Sequence, residues 1–493
     1  MILRRFIVVV AVFNLYGQLG RREAEWMTAG ADAQRSHWIP ADARISRQSL
    51  AKPGFQFLWK VKLATQPAGL TPSMPPVLID RYIGYRGFRS LAFLAGASDR
   101  IFGIDTDLAR VEWQQQVPSG AGGCLSVPGI ARETSAAYPP SEAVGGGLGG
   151  RASPARSDVS PPGQGAVTVP AAMARISALA NAPAPQRAFR PRLPAVIHLV
   201  TGDGKLHSLY ISNGMESGTP LDFVPPNTGT QGLIVLARVA YAATGNCGGA
   251  PSGIWSLDLD SKEASHWQPA AGAIAGSAGP AFGPDDTLYA ATSAGQLVSL
   301  AARGLNILNT YATGGAAFTS SPVVFPYKGR TLVAAASSDK KIHLIDTASF
   351  SGTANPVYGG QGFAPTALAA WQDLDGVRWI LAADGSPRGA IAAWRVIDRN
   401  DAMTVEPGWR SAEMLNPQTP AIISGVVFAL SGGNQSSPAV LYALDGLTGR
   451  KLWESGQSIT SFVQTGGVSG EAGQVYLETY DGTLYAFGYP MEH

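Results

Sequence analysis

The side chains that could do chemistry in this sequence are sparse, and their spacing does not group them. Six histidines stand singly, none at a separation that would put two imidazoles on one metal. There is no G-x-S-x-G elbow to present a nucleophilic serine and no phosphate-cradling P-loop. Two cysteines, Cys124 and Cys247, leave open whether they pair, and the missing C-x-x-C-H run excludes a covalently attached c-type haem. Asp285 and Asp286 sit in a Pro-Asp-Asp turn ahead of a strand, which puts them at a hairpin end rather than at a centre. Thr244-Gly245-Asn246 reads as a turn whose Asn tolerates positive φ. No catalytic base can be assigned from these residues alone.

The elements that must carry these residues are more legible. Only 15% of the 493 residues are charged, while 59 are Gly and 35 are Pro, a composition of short strands and tight turns. The stretch "LYALDGLTGRKLW" at 441–453 alternates apolar positions, turns, and ends on Trp453. Its pattern recurs at 101–113, 209–218, 254–267, 297–308, 342–352, 391–401 and 484–488, with equivalent positions at Asp105, Asn213, Asp258, Ala301, Asp346, Arg395, Asp445 and Phe487. From Asn213 onward these lie 45, 43, 45, 49, 50 and 42 residues apart. A strand-rich period of that length predicts an all-β, eight-bladed β-propeller of four-stranded antiparallel blades.

Within each unit, Leu441 and Ala443 should face one neighbouring blade and Tyr442 and Leu444 the other. Trp113, Trp267 and Trp453 recur eight or nine residues after the marked Asp, where an indole fills the wedge between blades. Each indole N–H then needs a buried acceptor, which a neighbouring turn can supply. The last repeat lacks its outer strand and Trp. The segment "FQFLWKVKL" at 55–63, with Trp59, is expected to complete the eighth blade and shut the ring, leaving no exposed sheet edge.

Residues 1–22 carry Arg4 and Arg5 ahead of an apolar run, the order of a secretory signal, with an uncleaved anchor as the alternative. The expected location is periplasmic or secreted. The span 131–193 holds seven Arg against three acids, and its stretch "VGGGLGGRASPARSDVSPPGQG" has almost no large apolar side chains, so it is expected to be a disordered insertion, either tolerated or partner-binding. Without these two basic segments the body is acidic, which argues against nucleic-acid binding; a monomer is expected.

The segment "ALDGLTGRKLW" at 443–453 matches an A-x-D-x-x-T-G-x-x-x-W repeat, and the chain resembles the PQQ-like (pyrroloquinoline quinone) propeller family. The opening "EWMTAGADAQRSHWIPADARISRQSL…FLWKVKL" is similar to the start of quinoprotein dehydrogenases. That resemblance implies two kinds of protein. One is an alcohol or sugar dehydrogenase with PQQ on the axis beside Ca²⁺. The other is a non-catalytic propeller, like the outer-membrane assembly adaptor, that binds a protein, peptide, glycan or small molecule.

Carried over residue by residue, the resemblance makes Asn246 the metal-ligand candidate and sets Cys124 near the cofactor, without the adjacent cysteine expected there. It leaves Asp203 as the nearest metal carboxylate, although Asp203 reads as a hairpin tip. Asp285 and Asp286 fall where the catalytic Asp belongs. The binding or degenerate-pocket reading is favoured, with the dehydrogenase as the alternative.

Overall fold

The structure, a computed structural model, describes residues 25–63, 74–84, 87–96, 100–117, 129–134, 195–245, 251–356, 363–399 and 402–490. Among these residues the chain forms eight blades, numbered here in chain order. The third strands of the blades are Arg100–Asp105, Lys205–Tyr210, Gly253–Asp258, Gln296–Ala301, Lys341–Asp346, Ile391–Arg399, Val440–Asp445 and Thr483–Gly488. These are the repeated segments.

The repeat residues have identifiable work. Asp105 Oδ1 accepts the amides of Asp107 and Leu108 at 3.1 and 2.9 Å, and Asp445 Oδ1 accepts those of Leu447 and Thr448 at 2.9 and 3.1 Å. Asp258 does the same for Asp260 and Ser261. Each carboxylate closes the turn that leads to the outer strand, which is why Asp recurs there. Leu441 and Ala443 pack into the core between blades 7 and 8, and Leu444 into the core between blades 6 and 7. Seven apolar clusters fill all eight blade seams in this way.

Trp113 of blade 1 donates its indole N–H to Ile211 O of blade 2 at 2.9 Å. Trp409 of blade 6 repeats this with Gly446 O of blade 7 at 2.8 Å, although sequence spacing did not single it out. Trp453 packs edge-on against Phe55 and Phe487, Trp59 lies against Tyr476, and Trp267 packs on the core between blades 3 and 4. The docking needs glycine opposite the indole. Gly449 has φ +69°, and a Cβ there would stand 2.4 Å from Trp409. Gly449→Ala is therefore expected to lower the unfolding free energy by about 2–4 kcal/mol in urea titration, from strain and overpacking combined.

Blade 8 is built from both ends of the chain. Its outer strand, Gln56–Lys62, pairs antiparallel with Thr483–Gly488, placing Trp59 opposite Ala486 and Lys60 opposite Tyr485. One core cluster runs from blade 7 through blade 8 to Leu78, Ala92 and Phe102 of blade 1.

Two features differ from the sequence reading. Six blades have four strands, but blades 3 and 7 gain a fifth, paired parallel to the inner strand. These extra strands, Glu133–Thr134 and Trp38–Ile39, satisfy backbone groups on an inner edge that faces the axis. The first residues assigned to the 131–193 insertion are thus sheet: Ala131 ends the inner strand of blade 2, and Glu133–Thr134 joins blade 3. Residues 135–194 and 1–24 lie outside the described residues.

The element that positions the axis is the strap of residues 26–42. Trp26 N–H donates to Glu471 Oε2 of blade 8, and Trp26 O accepts from Leu78 of blade 1. Met27 O accepts from Arg132, beside blade 2, and Thr28 Oγ1 donates to Leu233 O of blade 3. Ala33, Gln34, Ser36 and His37 carbonyls then accept from Phe282, Val324, Ala370 and Ile422, the inner strands of blades 4 to 7. Asp42 Oδ2 accepts from Gly473, back in blade 8. The strap makes one circuit of the axis and touches every blade. It bends tightly to do so, with Ala31, Arg35 and His37 at φ +74°, +59° and +54°. Left-handed backbone is unfavourable for such residues and persists only where surroundings enforce it.

Candidate ligand cavity on the propeller axis

The loops entering the inner strands gather above the strap around a cavity of about 550 Å³. Gln231 of blade 3, Ser321 of blade 5, Asp384 of blade 6, Gln418 of blade 7 and Gln464 of blade 8 line the wall. Gly30, Arg35 and His37 of the strap also line it.

The strap contributes a cation that is already committed. Arg35 is buried; its guanidinium donates to Pro280 O, Gly232 O, Ala29 O and Thr28 Oγ1 at 2.8, 2.6, 2.5 and 3.0 Å. Burial pulls its pKa down to about 9 against the opposing charge of Asp32. Burial and the nearby guanidinium push His37 down to about 3, so its imidazole is neutral.

Asp384 is the carboxylate of this wall among the described residues. It is 2% exposed, and its Oδ1 accepts from the Ala364 and Ser386 amides and the Ser386 hydroxyl at 2.9, 3.1 and 2.9 Å. Its Oδ2 takes no hydrogen bond from any described residue. Ser321 Oγ and Gln464 Oε1 are buried without a partner. Sequence reasoning missed Asp384. Its signal was the "AADGSP" turn of blade 6, where the backbone leaves a strand and a side-chain acceptor must hold the turn.

The sequence-derived candidates are not brought together here. Cys124 and Asn246 lie outside the described residues; Gly245, just before Asn246, donates its N–H to Gly229 O at the cavity wall. Asp203 accepts from Thr201 Oγ1 and the Lys205 amide, closing a hairpin in blade 2. Asp285 and Asp286 occupy the turn that leaves the inner strand of blade 4, whereas the cavity residues Ser277 and Ala278 precede that strand. Neither aspartate lines the cavity.

Pyrroloquinoline quinone is a planar tricarboxylate, and its metal needs several oxygen ligands. The described wall does not fit it. The guanidinium is spent on carbonyls, the carboxylate repels an anion, and among the described residues no indole, phenol or phenyl ring lines the cavity to stack on a quinone. No group of three His, Cys, Asp or Glu able to hold a metal occurs among the described residues.

No protein-family model matches the chain, and no curated protein matches it. Solved structures do. A europium-containing methanol dehydrogenase superposes with a TM-score of 0.62 at 10% identity, over 96% of this chain and 99% of that one. The quinohemoprotein alcohol dehydrogenase of Comamonas testosteroni gives 0.59 at 12% identity, over 95% and 82%. BamB from Moraxella catarrhalis gives 0.50 at 12% identity, over 89% and 99%. The fold is thus the eight-bladed propeller of the PQQ-like type. At these identities the likeness is one of fold, shared between dehydrogenases and BamB.

Proposed function

We propose that this protein is an exported binding propeller whose axial cavity is its ligand site, and that it does not carry out quinone-dependent oxidation. The observation that supports this reading is the cavity's charge arrangement. Its guanidinium is consumed by the strap and blades, and its carboxylate, Asp384, keeps one oxygen without a hydrogen bond from a described residue. A tricarboxylate cofactor is disfavoured there, while a ligand that donates hydrogen bonds is favoured. The Arg-led apolar N-terminus supports export to the periplasm or beyond, and no described helix is long and apolar enough to cross a membrane.

Dye reduction with pyrroloquinoline quinone, Ca²⁺ and a panel of alcohols and aldoses checks this reading. Rates at the protein-free level are expected, with no quinone binding at about 10 µM, an affinity that even a moderate cofactor site exceeds. Turnover that disappears in Asn246→Ala would establish the dehydrogenase instead.

A further inference from the structure

We propose that the axial cavity binds an uncharged polyhydroxylated ligand, a saccharide, through Asp384, Ser321 and Gln464. This rests on the reading of the protein as a binding propeller and specifies its ligand.

The unspent groups of the cavity set the chemistry. Asp384 Oδ1 is saturated by three donors, which fixes the carboxylate and leaves Oδ2 as a positioned acceptor. Gln464 Oε1 is a second buried acceptor, and Ser321 Oγ a hydroxyl that can donate or accept. Buried polar atoms without partners are rare in folded proteins, and two of them, Ser321 Oγ and Gln464 Oε1, line one cavity with Asp384, whose Oδ2 takes no hydrogen bond from a described residue; together they mark a place where a ligand completes the bonding. Two of the three are acceptors, so the ligand must bring O–H or N–H donors.

Charge narrows the class. An anion meets the Asp384 carboxylate. An amine would be welcome at Asp384 alone, but the Arg35 guanidinium, opposed by the buried Asp32, lines the same cavity. The two charges offset each other, leaving a wall that suits a neutral molecule. Among the described residues no indole, phenol or phenyl ring lines the cavity, so they offer no platform for a flat aromatic ligand. A cavity of about 550 Å³ falls within the range of small-molecule sites and suits a short saccharide rather than a polymer.

Calorimetric titration of the full chain with maltose, cellobiose and N,N′-diacetylchitobiose tests this, with spermidine and citrate as the amine and anion arms. At least one disaccharide should bind saturably at one site, with affinity reduced at least about tenfold in both Asp384→Asn and Gln464→Leu. Asp384→Asn keeps the Oδ1 acceptor that holds the turn. Gln464→Leu lies on another blade, so a folding defect in one variant leaves the other informative; thermal melts verify each.

The saccharide assignment is overturned if none of the three sugars binds at millimolar concentration, or if binding is unchanged in both variants. Spermidine or citrate binding that Asp384→Asn abolishes would overturn it too, while leaving the binding-propeller reading intact. Quinone-dependent turnover would remove both.

Discussion

Replacing Arg35 with alanine is expected to lower the unfolding free energy by about 3–5 kcal/mol, the range for truncating a buried, multiply hydrogen-bonded side chain. The guanidinium joins three backbone carbonyls from separate segments: Ala29 of the strap, Gly232 of blade 3 and Pro280 of blade 4. Removing it leaves those carbonyls buried without a donor and opens a void at 1% exposure. It also frees a strap that already holds left-handed backbone at positions 31, 35 and 37. A urea midpoint shifted by the equivalent of less than about 1 kcal/mol would show that the strap does not brace the blades. Arg35→Lys should recover little, since one ammonium cannot span the same carbonyls.

The second large effect is a loss of stability as pH rises from about 5 to 8. Glu478, 8% exposed in blade 8, has its pKa raised from 4.5 to about 8 by burial and then by the Asp481 charge. Its folded carboxyl keeps the proton that the unfolded chain releases near 4.5. The stabilisation is therefore fully present below that value and lost as pH climbs through about 8, at roughly 1.4 kcal/mol per unit for an isolated group. Asp32, raised to about 6 by burial, and Glu471, raised well above its ordinary value by burial, act in the same direction. Glu478→Gln should flatten the curve of unfolding free energy against pH and raise stability at pH 8 by a few kcal/mol, on the order of two to four. A variant curve parallel to the parent across this range would contradict the assignment.

The blades were legible because each repeats a physical requirement. A turn after every third strand needs an acceptor, so Asp105, Asp258 and Asp445 recur; a wedge between blades needs filling, so Trp113 recurs eight residues later. Trp409 escaped notice because the last hairpin of blade 6 is longer, with strands Ile391–Arg399 and Ala402–Arg410, and the indole falls off the period. The strap was invisible for a deeper reason. Most of its bonds to the ring, those to Leu78, Arg132, Phe282, Val324, Ala370 and Ile422, are made by main-chain carbonyls, and a backbone acceptor carries no side-chain signature. Asp384 was hidden likewise: its neighbourhood reads as one turn among many, and its placement on the axis is a property of the closed ring rather than of local sequence.

Strap and ring form one cooperative unit, which gives the axial cavity a fixed floor. Hydrogen exchange of the Leu78, Phe282, Val324, Ala370 and Ile422 amides tests it most directly, because their acceptors are strap carbonyls. These amides are expected to exchange only through global unfolding, at the rate of amides inside the blades. Exchange of these five within minutes, while the blade interiors stay protected, would show a strap that comes away from the ring and a cavity without a floor.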